Sequence, residues 1–157
     1  TAVAVALKTP FEFVHFMTML TSTLLWFEDL GQDTSVYKTA LARICAGVKN
    51  NISPLKMSSL LGNGIKAQEA VPMAIYCYVT HPLSSERAVE SALFLGGDTD
   101  TIASMTGAIS GAALGESQIP DRWVKRSTES EWTPQKIRQL AARLYEHGLT
   151  LKFRLKR

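Results

Sequence analysis

An all-α, globular fold follows from three features of the 157-residue sequence. Apolar residues recur at three- and four-residue spacing over most of its length. Glycine, proline and hydroxyl residues punctuate those runs where helices would start and stop. No segment alternates apolar and polar residues as a half-buried strand would; the nearest approach, Val3-Ala4-Val5-Ala6, is alanine-rich and favours helix. With 46% hydrophobic and 20% charged residues, the chain belongs with ordered proteins that bury a core, and its length suits one domain.

Pro10 is tolerable near a helix start. Phe13, Phe16, Met17, Leu20 and Leu24 then mark the buried face of a first long helix. Gly31-Gln32-Asp33-Thr34 breaks it, and Asp33 or Thr34 caps the next helix, whose stripe is Tyr37, Leu41, Ile44 and Val48. After the loop Asn50 to Pro54, Ser53 is an N-cap with Pro54 at the first helical position. Leu61-Gly62-Asn63-Gly64-Ile65 is a second break; its glycines allow positive φ or close approach to a ligand. Ala67 to Val79 reads as a central, buried helix ended by His81-Pro82. Ser84 or Ser85 opens a helix through Ala88, Ser91 and Ala92 toward Leu95. Gly96-Gly97 stops it, and a new helix runs from about Asp100 to Leu114 and ends at Gly115. Ile119-Pro120-Asp121-Arg122-Trp123 is a short helical turn. Thr133-Pro134 starts a last amphipathic helix through Ile137, Leu140, Ala141 and Leu144.

Seventeen basic residues against fourteen acidic ones give a net charge of +3. Part of the excess sits in a basic tail over 147–157, which reads as solvated; charge alone does not argue for nucleic-acid readout. Cys45 and Cys77 lie in apolar helical contexts without metal-ligand spacing, and read as buried, reduced thiols of an intracellular protein. No run of eighteen apolar residues suggests a membrane span, and no membrane partner is expected. The apolar start, without Met or a charged leader, reads as a helix cut mid-way, so the chain is expected to be part of a longer one.

Asp98-Thr99-Asp100-Thr101 carries the chemistry. Two carboxylates stand two residues apart with a hydroxyl beside the second, and two glycines before them let the backbone turn sharply. Hard oxygen donors of this kind suit Mg²⁺, Mn²⁺ or Ca²⁺, and a helix N-terminus favours carboxylates. On the residues alone, a plain N-cap by Asp98 or Asp100 competes evenly with a metal loop. The spacing fits neither an EF-hand nor a phosphate loop. Ala103, Gly107, Gly111 and Gly115 recur every four residues behind the loop, and are expected to form a ridge against which a neighbouring helix packs closely.

Gly96 to Ala103, followed by Gly107-Ala108-Ile109-Ser110-Gly111-Ala112, resembles the C-terminal metal motif of the ADP-ribosylglycohydrolase family. Leu61 to Ile65 with Val71-Pro72-Met73-Ala74-Ile75-Tyr76, and the turn Ile119 to Trp123, are similar to its ADP-ribosylhydrolase 3 branch. The resemblance spans nearly the whole chain. It implies that residues 1–157 are the C-terminal portion of an all-α bundle built around a binuclear Mg²⁺ centre. It implies an activity that removes ADP-ribose from modified side chains, serine in this branch, or cleaves poly(ADP-ribose) or O-acetyl-ADP-ribose. Asp98, Asp100 and Thr101 fall at family metal ligands. Ile65, within the Gly64 loop, and Leu30, before Gly31, fall at contacts to the adenosine part of the substrate.

The family's Gly-Asp-Asp metal motif, catalytic Glu and phosphate-binding loop have no counterpart here, and Ala4 stands where the family has a substrate-binding His. The resemblance therefore implies that this chain alone is inactive. It also implies ADP-ribosylated protein or poly(ADP-ribose) as partner, a monomer when complete, and a cytoplasmic, nuclear or mitochondrial-matrix location. The alternative is a non-catalytic ADP-ribose-binding or interaction remnant of the same fold. Trp26 and Phe27 are expected in the core, or else Phe27 or Tyr37 lines the adenine pocket. Tyr76 and Tyr78 are expected in the core with satisfied hydroxyls.

Overall fold

The computed structural model describes residues 2–7, 11–127 and 131–154, with side chains up to 147 in the last segment. Pro10 lies outside the described residues. The chain divides into two compact units, Thr1–Gln118 and Ile119–Arg157. Among the described residues there is no strand.

The first unit holds α1 (Ala2–Ala6), α2 (Phe13–Asp29), α3 (Ser35–Lys49), α4 (Pro54–Leu61), α5 (Ala67–Thr80), α6 (Ser85–Leu93), α7 (Thr99–Leu114) and a 3₁₀ turn at Glu116–Gln118. The hydroxyls expected at helix starts sit there. Ser53 accepts from the Lys56 N–H at 3.4 Å, with Pro54 following, and Ser84 accepts from the Arg87 N–H at 3.3 Å. Between α2 and α3 the work is divided. Thr34 takes the cap position, while Asp33 Oδ1 accepts from the Ser35 N–H at 2.9 Å.

Helix α5 is the centre of this unit. Residues 72 to 79 are all buried, and the helix packs on α3, α4, α6 and α7. Its apolar character on every side is what a helix enclosed by neighbours requires. Phe16, Met17 and Leu20 of α2, Ile44 of α3 and Ile102 of α7 join it in one core. Tyr76 donates its hydroxyl to the Ile52 carbonyl at 2.6 Å. The Tyr78 hydroxyl, enclosed by Phe11 and Phe16, has no hydrogen-bond partner, contrary to the expectation that both would be satisfied. Burial pushes its pKa up to about 12.

Three further expectations fail. Cys45 is exposed rather than buried; both cysteines are free. It stands one position round the helix from Ile44, which faces the core. Trp26 and Phe27 are 57% and 40% exposed, not core: Trp26 lies off the stripe that runs through Leu20 and Leu24, and Phe27 lies at its open end. The glycine ridge of α7 is not a site of close helix approach. A methyl group at Gly107 would meet only Val89 at an ordinary 3.6 Å, and at Gly111 nothing within 4 Å. Helix α7 meets α5 at Ala74, whose carbonyl accepts from Thr106 Oγ1 at 3.4 Å, and it also packs on α6.

The second unit holds α8 (Asp121–Arg126) and α9 (Pro134–Arg154). None of its described side chains is buried. The helix continues through the first part of the segment read as a basic tail, to Arg154.

Candidate metal loop and adjoining cleft

Two glycine-bracketed loops build the site. In the first, Gly62 ends α4 at φ +84°, a conformation that L side chains rarely adopt. Glu69, one turn into α5, lies over it, and its Oε2 accepts from the Gly64 N–H at 3.1 Å. Asn63 is thereby aimed at the second loop. Its carbonyl accepts from the Asp98 N–H at 2.8 Å, and its Nδ2 donates to the carbonyls of Leu95 and Gly96 at 3.0 and 3.1 Å. The loops touch so closely that a methyl group at Gly97 would sit 2.2 Å from the Asn63 carbonyl oxygen. Both glycines are favoured by conformation, and Gly97 is required by contact as well.

This clamp presents Asp98 as the residue before α7. Asp98 occupies the cap position, but its side chain makes no capping hydrogen bond. Of the two residues read as possible caps, Asp98 thus does not perform that role, whereas Asp100 does engage backbone N–H groups of the first turn. Asp100 has its carboxyl held below the usual carboxylate range by the Asp98 side chain first, then by the backbone N–H groups of Thr101 and of Asp100 itself. The two carboxyl groups therefore stand side by side at the positive end of a sixteen-residue helix. Two ionised carboxylates so placed repel each other, and a proton or a cation between them removes the repulsion. With the exposed hydroxyl of Thr101 beside them, the donors are all oxygen, which fits a hard divalent ion. Among the described residues no third Asp, Glu, His or Cys joins the pair.

Gly64 and Ile65 ride on the clamped loop next to these donors in the fold. Ile65 is 84% exposed. Leu30 lies elsewhere, at the C-terminal end of α2, on the wall of a cavity of about 600 Å³. Phe27 and Tyr37 share that wall, as do Leu24, Leu41, Val71 and Pro72. The cavity is largely apolar, and several of its polar groups are engaged within the chain. Thr34 donates to Glu28 at 2.6 Å, Glu28 also pairs with Lys38, and Asp33 is held by Ser35. The neighbouring Lys38 ammonium, then the Thr34 hydroxyl, hold the Glu28 carboxyl below its ordinary range. The residues singled out from sequence thus fall into two groups, Asp98, Asp100, Thr101, Gly64 and Ile65 in one and Leu30 in the other. Asn63 and Glu69 were missed. The bracket of glycines around Asn63 was the available signal; nothing local marked Glu69.

The comparisons with known proteins bear on what this arrangement is. The family model described as ADP-ribosylglycohydrolase matches residues 1–151. This chain belongs to the ADP-ribosylglycohydrolase family. Among curated relatives, the ADP-ribosylhydrolase ARH3 of Bos taurus is 35% identical over 132 residues, which is 77% of this chain and 36% of that protein. ADP-ribosylhydrolase ARH3 of Xenopus tropicalis is 37% identical over 131 residues, 73% of this chain and 37% of the relative. The mouse protein of the same name is 39% identical over 107 residues, 61% and 29% respectively. Across these three relatives the match covers between 29% and 37% of their length. The helical architecture and the break-and-restart at Gly96-Gly97 both lie inside the matched span of this family member.

Proposed function

We propose that this chain supplies part of a Mg²⁺-dependent hydrolase that removes ADP-ribose from modified protein side chains, serine-linked ones foremost, or cleaves poly(ADP-ribose) or O-acetyl-ADP-ribose. The observation that carries the reading is the carboxylate pair Asp98 and Asp100 at the head of α7, with Asp98 making no capping hydrogen bond and its backbone N–H held by Asn63. Asp98, Asp100 and Thr101 would hold metal, one ion of a binuclear centre or a share of both. When bound, Mg²⁺ would orient ribose hydroxyls and polarise a water at the glycosidic bond, which breaks through an oxocarbenium-like state. A carboxylate oxygen not taken by metal can accept a proton from that water. The exposed Ile65 side chain, on a loop whose backbone is pinned, offers an apolar face to the adenosine part of the substrate. Leu30, with Phe27 and Tyr37, offers another. Two free cysteines accord with a reducing, intracellular setting, and among the described residues no helix is long and apolar enough to cross a membrane.

Mg²⁺ takes about six oxygen ligands, several of them water. Two carboxylates and a hydroxyl should therefore bind it weakly, and the chain alone should not hydrolyse ADP-ribosyl-serine. Turnover by the purified 157-residue chain would overturn that part of the reading. The metal assignment is tested by calorimetry at millimolar Mg²⁺ with and without ADP-ribose. Asp100→Ala should lose the Mg²⁺ heat that the wild type shows, and equal heats for the two would remove it. A second reading, a non-catalytic ADP-ribose-binding remnant, draws on Ala4, exposed on α1 where the resemblance has a substrate-binding His. It predicts an ADP-ribose heat that is independent of both Mg²⁺ and Asp100.

A further inference from the structure

Glu69 holds a position that helix capping alone does not explain. It is the third residue of α5, after Lys66 at the cap position, and the Lys66 side chain makes no capping hydrogen bond. A glutamate placed there ordinarily reaches back to the N–H of the cap residue. The Glu69 carboxylate reaches past it, and Oε2 accepts from the Gly64 N–H at 3.1 Å. The side chain occupies space that two absent side chains leave. A methyl group at Gly62 would sit 2.6 Å from Glu69 Cγ, and one at Gly64 would sit 2.7 Å from Oε2. The other oxygen, Oε1, stands 4.0 Å from Nζ of a largely exposed Lys66, a pair that adds little.

One peptide group joins that carboxylate to the metal loop. The Gly64 N–H and the Asn63 carbonyl belong to the same planar unit. Its N–H end donates to Glu69, and its carbonyl end accepts from the Asp98 N–H at 2.8 Å. Glu69 therefore fixes the plane of this peptide, and turning the plane would carry the carbonyl off Asp98. A negative acceptor at the N–H end also polarises the peptide and strengthens its carbonyl as an acceptor. All of these residues lie in the first unit.

We infer that Glu69 is a positioning residue for the metal loop, on the reading that Asp98, Asp100 and Thr101 hold Mg²⁺: by orienting the peptide between Asn63 and Gly64, it sets where Asp98 presents its carboxylate, without touching the ion. Residues that orient metal ligands in this way govern affinity as the ligands do. A role as ligand fits worse. Glu69 Oε2 is engaged by Gly64, and among the described residues no third carboxylate, His or Cys joins Asp98 and Asp100.

The test is amide NMR on the full 157-residue chain, first without metal and then in a Mg²⁺ titration. Glu69→Gln keeps an oxygen that accepts from Gly64, and Glu69→Ala does not. Without metal, Glu69→Ala should speed hydrogen exchange at Gly64 and Asp98 by about tenfold or more, while the buried segment 73–79 keeps its protection. Glu69→Gln should leave exchange near that of the wild type. In the titration, read at the amides of Asp98 to Thr101, Glu69→Ala should weaken Mg²⁺ binding by about 10- to 100-fold, and Glu69→Gln should restore most of it. Gly64→Ala, at a backbone conformation outside the left-handed region, should reproduce the Glu69→Ala effects by displacing Oε2, and the two changes together should add little to either. Equal weakening by Gln and Ala with exchange at Asp98 unchanged would make Glu69 a ligand or a directly acting charge, and would overturn the inference. So would faster exchange throughout 73–79, which would mark Glu69 as a support of the whole fold. A wild type whose Asp98 to Thr101 amides do not move with Mg²⁺ would end the metal reading by itself, and the exchange measurement would still decide whether Glu69 holds Asp98.

Discussion

Two residues show how contact, rather than residue type, decides what a side chain does here. Gly96 and Gly97 share a φ of +69°, yet only at Gly97 would an added methyl group meet another loop. An alanine at either position meets the left-handed backbone cost of roughly 1–2 kcal/mol. At Gly97 its methyl group also drives into the Asn63 carbonyl. Gly97→Ala should therefore lower stability clearly more than Gly96→Ala in urea unfolding, and should weaken Mg²⁺ binding with it, because Asn63 and Asp98 share a hydrogen bond. Equal losses would mean that the two loops are not clamped. Tyr78 is the second case. Its hydroxyl is buried without a partner, so removing it takes away an uncompensated polar group. Tyr78→Phe should be neutral or stabilising by about 1 kcal/mol at pH 7. Its pKa is raised in the folded state, so the fold keeps its full contribution below pH 10 and loses it as pH rises from 10 toward 12. Cys77, pushed up to about 11, contributes a loss from pH 9 upward. Tyr78→Phe should flatten the upper part of that alkaline decline, and an unchanged pH profile of the melting temperature would refute the assignment.

At the scale of the element, helix starts and stops were legible because their causes are local. Ser53-Pro54, Ser84, His81-Pro82 and Gly115 act on backbone groups within four residues. Stripes such as Phe16, Met17 and Leu20 were legible because one helical turn brings them together. What was not legible depends on partners far along the chain. The contact of Asn63 with Leu95, Gly96 and Asp98 joins residues more than thirty positions apart; Glu69 is only five residues from Gly64, but its role depends on the path by which α5 leads back over Gly62. The Gly96 to Thr101 segment was readable as a family motif, but whether Asp98 caps α7 was decided by geometry. The α7 ridge failed for a related reason: spacing showed which residues share a face, not which face meets a neighbour. Its glycines are therefore open to change. Gly111 sits in a helix interior with nothing near its missing side chain, so Gly111→Ala should stabilise by about 0.5–1 kcal/mol. A destabilised Gly111→Ala in thermal melts would restore the close-packing role that the geometry denies it.

For the whole molecule, the decisive contrast lies between its two units. The buried hydrophobic residues fall within 1–118, together with both site loops. The second unit buries none of its described side chains and carries the positive charge. Its helices therefore draw little on tertiary burial, which is the main support for helices of this length in water. Segments with few buried contacts open locally at low free-energy cost, and proteases cut what opens. Trypsin should therefore cleave first among Arg122, Lys125, Arg126, Lys136, Arg138 and Arg143, all exposed in the second unit. Exposed basic residues of the first unit, such as Arg43, Lys56 and Arg87, lie on helices that bury a face in the core, so cutting there requires the core to open. Mass spectrometry of early digests should find a fragment that retains Asp98 to Gln118, and that fragment should unfold cooperatively near the temperature of the intact chain. Early cuts at Arg43 or Lys56, or a fragment that melts without cooperativity, would show instead that the second unit supports the fold that positions the carboxylate pair.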